Sequence, residues 1–140
     1  PYLQEVANSA HAPTGIHELL FDALFNLRRF EEAQQVLRQW AAALDARQDT
    51  AVARADLKFQ EGRLALAQGD TQTAEARFLE GVAASPGGRN ASELARLYYA
   101  QGRFDDALEY IDQYLRGAAS GPRADDDRRL RARIVEHLKP

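Results

Sequence analysis

One short pattern occurs three times in this chain: a helix end, a tight turn and a small residue in the next helix. The three copies are LRRFEEA, AQGDTQTA and AQGRFDDA, and their shared alanines are Ala33, Ala74 and Ala107. The alanines are 41 and 33 residues apart, close to the roughly 34 to 45 residues of repeats built from two helices. This spacing predicts a repeat architecture, in which each helical hairpin packs against its neighbours.

Apolar residues recur at intervals of three and four, and no segment alternates with the period of a strand. We therefore predict an all-α protein, an α-α superhelix (solenoid) of about three helix pairs with a C-terminal capping helix. One domain is expected over 1–140, with helix pairs near 14–48, 50–85 and 90–117, the capping helix at 122–138, and the remnant of a preceding helix at 1–12.

Capping and turn residues indicate where the helices begin and end. Asp49 or Thr50 is expected to cap the helix that ends at Gly69, a residue that can adopt the left-handed conformation. Asn90 or Ser92 is expected to cap the helix that follows the break at SPGG.

The last helix carries charge on most of its surface. Asp125, Asp126 and Asp127 fall in its first turns, where the helix dipole favours negative charge. We expect Asp125 to pair with Arg129, and Asp127 with Arg131, at i,i+4 spacing. The narrow apolar face predicts a helix that covers the end of the stack.

Composition excludes several functional classes. The chain has no cysteine, so it has neither disulfides nor thiolate ligands. A net charge of −3 with interspersed signs disfavours a nucleic-acid partner, and no run approaches the ~18 apolar residues of a membrane span, so direct membrane insertion is not expected. Arginine and alanine are abundant, which suggests a bacterial source. Because the chain opens on Pro1, we expect a piece of a longer protein. The compartment is left open between cytoplasm and periplasm.

Residues with catalytic or metal-binding chemistry do not form a recognisable pattern. His11, His17 and His137 lack metal-ligand spacing and are interpreted as surface or capping residues. The aspartates at 125–127 lack the glycine and distal glutamate of a calcium loop. No phosphate-binding loop or nucleophile elbow is present. We predict a non-catalytic protein without metal or cofactor.

The segment FQEGRLALAQGDTQTAEARFLEGVAASP resembles a tetratricopeptide repeat, and the segment from Ala91 to Ala119 resembles a second one. The small, aromatic and proline positions of the first hold Gly62, Ala65, Gly69, Ala74, Phe78, Gly81 and Pro86. The region 16–44 fits less well. There, Phe21 replaces a small residue, Arg28 the turn glycine and Trp40 an alanine, which resembles the elongated helix pairs of bacterial regulatory proteins in this superfamily.

The resemblance implies that small residues allow the two helices of a pair to approach closely. Gly62 or Ala95 on a first helix is expected to face Ala74 or Ala107 on the second. A larger side chain at these places would force the helices apart.

The resemblance also implies that the first helix of each pair lines a concave groove that contacts a partner. The residues carried over are Glu18, Asp22, Phe25, Asn26, Asp56, Phe59, Arg63, Leu66, Arg89, Ser92, Arg96 and Tyr99. Arg63 and Arg96 occupy equivalent places and suit a ligand with a carboxylate, because a guanidinium binds carboxylates in a fixed fork. A second interpretation remains open: the aromatic residues pack against adjacent helices, and the arginines pair with Asp22, Glu61 or Glu93.

The implied function is a protein-interaction scaffold that binds a partner protein or peptide in the groove. The alternative is a sensor or assembly segment of a larger bacterial regulatory or secretion-apparatus protein, which forms homo-oligomers by end-to-end stacking. Chaperone-binding members of the family use Lys and Asn where this chain has Glu18, Asp22, Phe59 and Arg63, so we do not expect an Hsp90-type tail as ligand. An RNA-binding role is disfavoured by the net negative charge.

Overall fold

The computed structural model describes residues 14–47, 50–117 and 122–140. These residues form α-helices without any strand, which confirms the predicted all-α class. The proposed helix remnant at 1–12 and His11 lie outside the described residues. The helices are α1 (Thr14–Asn26), α2 (Phe30–Arg47), α3 (Ala51–Ala67), α4 (Thr71–Ala84), α5 (Gly88–Ala100), α6 (Phe104–Gly117) and α7 (Pro122–Leu138).

Consecutive helices pack as hairpins, and the hairpins stack side by side. α1 packs on α2, α3 on α4 and α5 on α6, while α3, α5 and α7 also contact the second helix of the preceding pair. In addition, α1 contacts α3, α3 contacts α5, and α5 contacts α7. The first helices therefore form one row, α1–α3–α5–α7, which we call the inner row. The predicted capping helix, α7, occupies the place of a first helix in a fourth pair.

Side chains also connect helices of the inner row that are not neighbours. A guanidinium nitrogen of Arg89, on α5, lies 3.2 Å from Glu18 Oε2 on α1, two helices away. Packed helices are about 8–10 Å apart, so in a flat row these two helices would be roughly 16–20 Å apart, with α3 between them. The two long side chains together span this distance across α3, so one face of the inner row is continuous from α1 to α5.

Each hairpin turn is closed by the same backbone geometry. The N–H groups of Arg29, Asp70 and Arg103 each donate to the carbonyl five residues earlier, at 2.9 Å in all three turns. The residue before each donor has positive φ, namely Arg28 (59°), Gly69 (79°) and Gly102 (76°). The expected left-handed conformation at Gly69 is confirmed, and the first turn forces a bulky residue into that conformation.

Replacement of Arg28 by glycine should stabilise the protein. The left-handed conformation costs a residue with a Cβ about 1–2 kcal/mol, which glycine avoids. The substitution also removes the contact of the guanidinium with the Phe30 ring at 5.3 Å, and this loss offsets about 0.5 kcal/mol of the gain at an exposed site. We expect Arg28→Gly to raise the melting temperature by roughly 2–4 °C. The reverse exchange Gly102→Arg, at a turn with open space around the glycine, should lower it. A lower melting temperature for Arg28→Gly would contradict the turn geometry.

Two apolar clusters form the core. The first joins α1, α2 and α3 and includes Phe21, Leu37, Trp40, Leu44 and Leu64. Phe21 and Trp40 are almost completely buried. The first pair is thus packed with large side chains at places where the later pairs have small ones. The second cluster extends from α3 to α7 and includes Phe59, Ala74, Phe78, Ala95, Ala107, Ile111 and Ile134.

Glycines mark the closest approaches between helices. A Cβ added at Gly62 would lie 2.3–2.7 Å from ring atoms of Phe78, so the side chain nearest to Gly62 on the second helix is Phe78. The aromatic ring, one helical turn beyond Ala74, fills the space that the missing side chain leaves. A Cβ at Gly81 would similarly meet the side chain of Asn90, at 2.3 Å.

Three expectations for polar residues are corrected by the packing. α5 begins at Gly88 without a side-chain cap, because Asn90 is buried and donates to the carbonyl of Ala55 at 3.0 Å. Ser92 is also buried, in contact with α7. His17 is 1% exposed and therefore is not a surface residue. The expected cap at Thr50 is present, because its hydroxyl accepts from the Ala53 N–H.

Candidate functional site

The inner row brings the predicted partner-binding residues onto one side of the molecule. α1, α3 and α5 carry Asp22, Phe25, Asn26, Phe59, Arg63, Leu66, Arg89, Arg96 and Tyr99. Their accessibility differs. Asn26 is exposed, Phe59 is only 7% exposed, and the others are partly buried.

Polar side chains of α1 and α3 form a hydrogen-bonded ladder. Gln60 Nε2 donates to Glu18 at 2.8 Å, and its carbonyl oxygen accepts from Arg63 at 2.9 Å. Arg63 also lies 3.0 Å from Asp22. Gln60 is buried, so it is held by charged partners on both sides. The ladder fixes Arg63 in place and uses part of its hydrogen-bonding capacity.

Arg89 connects three helices of the inner row near their N-terminal ends. Its guanidinium lies 3.0 Å from Asp56 and 3.2 Å from Glu18, and it covers the ring of Phe59, 4.2 Å from the centroid. Burial lowers the pKa of Arg89, but its hydrogen bonds and charge interactions with Asp56 and Glu18 outweigh this and raise that pKa above its usual value. Arg89 therefore stays positive and shields Phe59 from solvent.

Phe25 is the most accessible aromatic residue of the first pair in the inner row. Its ring is half-buried, packs against Phe21 and Phe30, and lies under Arg63 with 4.3 Å from centroid to guanidinium. Leu66 is partly buried at the edge of the second cluster. Together with exposed Asn26, these side chains form a mixed apolar and polar surface.

Arg96 is anchored by the last helix. It forms an ion pair with Asp127, donates to the Ser92 hydroxyl at 2.7 Å, and lies 3.5 Å from Glu93. Asp127 is fully buried, so the expected pair between Asp127 and Arg131 is wrong. The carboxylate faces α5 and not its own helix surface.

The other charges of α7 are also paired differently from expectation. Asp125 pairs with Arg128 and Asp126 with Arg129, both at i,i+3, so the predicted pair of Asp125 with Arg129 is wrong. Arg131 pairs with Asp112 on α6. The pairs of α7 with its own residues are exposed and contribute little to stability.

Aromatic side chains pack together near the C-terminal ends of α5 and α7. Tyr99 packs edge-on against Phe104 and His137, and the rings of Phe104 and His137 stack 4.3 Å apart. The second interpretation of the sequence expected aromatic residues to pack against adjacent helices and arginines to pair within the chain. The packing of Tyr99 and the ion pairs of Arg63 and Arg96 correspond to it. The arginines and aromatic rings thus have partners within the chain.

An open cleft of about 460 Å³ lies between α5 and α7. We call it the α5/α7 cleft, and it is lined by Arg96, Tyr99, Asp126, Arg129, Leu130 and Arg133. Its wall carries three guanidiniums and one carboxylate over an apolar leucine and a tyrosine ring. The cleft is a positively charged site in a chain whose net charge is −3.

Sequence reasoning missed the residues of α7 and the buried Gln60. Two signals were available. Gln60 lies between Leu57 and Leu64 on the apolar face of α3, and Asp127 falls in line with Ile134 on the apolar face of α7. A polar residue on an apolar helix face is expected to be buried and hydrogen-bonded. Arg129 and Arg133 carried no such signal, because their position depends on where α7 docks.

The described residues show no other kind of site. Within 14–47, 50–117 and 122–140, no group of three or more histidine, cysteine, aspartate or glutamate side chains could hold a metal ion. No helix of the described ranges combines the length and the apolar character that crossing a bilayer requires.

Comparison with known families agrees with the hairpin architecture. A tetratricopeptide repeat model matches the chain at residues 59–123 and 92–139. No curated protein matches the chain. Tetratricopeptide repeats generally mediate protein–protein interactions and are typically non-catalytic scaffolds. Since the two matches together span more than half of the chain, and the hairpins stack side by side, the chain belongs to the tetratricopeptide repeat family.

Proposed function

We propose that the chain binds a segment of a partner protein along the inner row. The observation that carries the proposal is the composition of this surface, where four helices lie side by side and leave the α5/α7 cleft open. A cleft buries more of a narrow ligand than a flat surface does. The family's general role in protein–protein interaction supports the same conclusion.

The partner would meet two kinds of surface along the row. At α1 and α3 it would lie over Asp22, Phe25, Asn26, Arg63 and Leu66, with Phe59 reached only through Arg89. At α5 and α7 it would meet Arg96 and Tyr99 in the cleft. Because the ladder already pairs Arg63, a ligand carboxylate there has to exchange for Asp22, whereas Arg133 in the cleft has no carboxylate partner among the described residues. We therefore expect the charged contacts of the partner at α5 and α7 and its apolar contacts at Phe25 and Leu66.

A matched pair of leucines tests this proposal. Leu66 lies on α3, a helix of the inner row, and is partly buried. Leu79 lies on the neighbouring helix α4 and is 37% exposed. A peptide selected from a library of short random sequences should bind Leu66→Ala about tenfold more weakly than the unmodified protein, because a contact worth ~1.4 kcal/mol is lost. Leu79→Ala should bind it with unchanged affinity. Melting temperatures of both variants control for folding. A loss confined to Leu79→Ala would overturn the proposal.

A second candidate function, self-association by end-to-end stacking, has an observation of its own. Leu64 is buried in the cluster that joins α3 to the preceding hairpin, and Leu97, at the equivalent place on α5, is also buried. The equivalent face of α1 instead carries Leu19 and Leu27, which are 55% and 65% exposed. Such a face is suited to another hairpin. Sedimentation velocity separates the two candidates, because a stacking protein gains mass with concentration and a groove binder stays monomeric.

A further inference from the structure

The α5/α7 cleft differs from the rest of the inner row in the freedom of its charges. Arg63 and Arg89 are partly buried and paired with carboxylates of neighbouring helices. Arg133 is exposed and has no carboxylate partner within the described part of the chain. Arg129 pairs with Asp126, but the two side chains are 73% and 65% exposed. An exposed pair of this kind is weak and easily exchanged.

The positive charge of the cleft is concentrated on its α7 wall. Arg96, on the α5 side, lies between two carboxylates, buried Asp127 and Glu93, so it contributes no excess of positive charge. On α7, Asp126 offsets Arg129, and Arg133 leaves this wall with an excess of one positive charge. Glu136, one turn from Arg133 on α7, pairs with Lys139. The α7 wall of the cleft is therefore complementary to negative charge, although the molecule as a whole is acidic.

We propose that the α5/α7 cleft binds an extended acidic segment of the partner, whose two carboxylate side chains are separated by one residue. This inference rests on the proposed function and names the chemistry of the partner. Each carboxylate would accept hydrogen bonds from one guanidinium, Arg129 or Arg133, in the paired geometry that arginine favours.

The spacing of the two arginines fits such a segment. Arg129 and Arg133 are four residues apart on α7, and at 1.5 Å per residue they are separated by about 6 Å along the helix. In an extended peptide, side chains two residues apart point to the same face and are separated by about 6.6 Å. Carboxylates on adjacent residues would point to opposite faces, and only one could reach the cleft.

The apolar floor of the cleft adds a second requirement. Leu130 lies between the two arginines on α7, and Tyr99 lines the opposite wall on α5. An apolar side chain on the same face of the peptide as the carboxylates would cover these groups. The expected pattern is therefore Glu-x-Glu-x-Leu, presented as an extended strand and not as a chain terminus.

Three capped peptides of equal length test the inference with the complete chain. The first is acetyl-Ala-Glu-Ala-Glu-Ala-Leu-Ala-amide, the second has glutamine for both glutamates, and the third has its two glutamates adjacent. We expect the first to bind about tenfold more tightly than the second, and several-fold more tightly than the third, which has the same charge. Fluorescence anisotropy of labelled peptides at low ionic strength gives the affinities, since salt screens exposed charges.

Variants of α7 complete the test. The double variant Arg129→Gln/Arg133→Gln should lose about tenfold in affinity for the first peptide. Arg128→Gln should change it by less than about twofold, because Arg128 pairs with Asp125 and does not line the cleft. Equal binding of the first and third peptides, or unchanged binding by the double variant, would overturn the inference. A library-selected peptide that loses affinity for Leu66→Ala but binds Arg129→Gln/Arg133→Gln as well as the unmodified protein would overturn this inference and leave the proposed function intact.

Discussion

Replacement of Trp40 by alanine is expected to destabilise the protein by about 3–5 kcal/mol, the range for truncating a large buried aromatic residue. Trp40 is 2% exposed and packs with Phe21, Leu37 and Leu44 in the first cluster. Its indole N–H has no hydrogen-bond acceptor among the described residues, so the loss comes from packing alone. Guanidinium denaturation followed by circular dichroism measures the change in the free energy of unfolding.

Trp40→Phe is the matched control for this result. It retains an aromatic ring and leaves a smaller cavity, so the loss of stability should be smaller than in Trp40→Ala. Because stacked repeats contact mainly their neighbours, hydrogen exchange should accelerate most in α1, α2 and α3 and least in α6. A cost below about 1 kcal/mol for Trp40→Ala would mean that the first pair is not held by its large side chains.

The second large effect is expected from Ala74→Leu and Ala107→Leu. Both alanines are 0% exposed, on the second helices α4 and α6. Three added carbons cannot be placed without moving the neighbouring helix, and overpacking of this kind costs about 1–3 kcal/mol. For a domain of this size, the melting temperature should fall by roughly 3–10 °C in each variant.

Ala84→Leu provides the control, because its surroundings leave room. Ala84 is half-buried and lines a surface cleft of about 240 Å³ together with Leu44 and Leu57. A leucine there can extend into this space and cover apolar surface. We expect an unchanged melting temperature. Equal losses in all three variants would show that the repeat register is assigned incorrectly.

The repeat pattern was sufficient to predict the class and the family. Turn residues, small residues and apolar spacing are local signals, and each hairpin satisfies them within one segment. Arg28 illustrates this: its place in the pattern predicts a turn, and the structure puts it in the left-handed conformation that glycine adopts at Gly69 and Gly102. Local signals therefore locate the hairpins even where the residue type departs from the pattern.

The details of the site depend on contacts between distant segments and were not predictable in the same way. Asp127 pairs with Arg96, 31 residues earlier, and Arg89 reaches Glu18 across 71 residues. Nearby arginines on α7 were plausible partners for Asp127, and only the docking of α7 on α5 decides between them. The inner row was expected from the resemblance, and the pairs of Arg63 with Asp22 and of Arg96 with Glu93 belong to the second sequence interpretation. The pairs of Arg89 and Asp127 and the open cleft follow from the stacking geometry.

The central claim is that the inner row is the surface that binds a partner. A titration of the ¹⁵N-labelled protein with a library-selected peptide, followed by amide chemical shifts, tests it most directly. The account predicts shifts concentrated in α1, α3, α5 and α7, with the largest around Tyr99 and Arg133. Shifts confined to α2, α4 and α6 would contradict it.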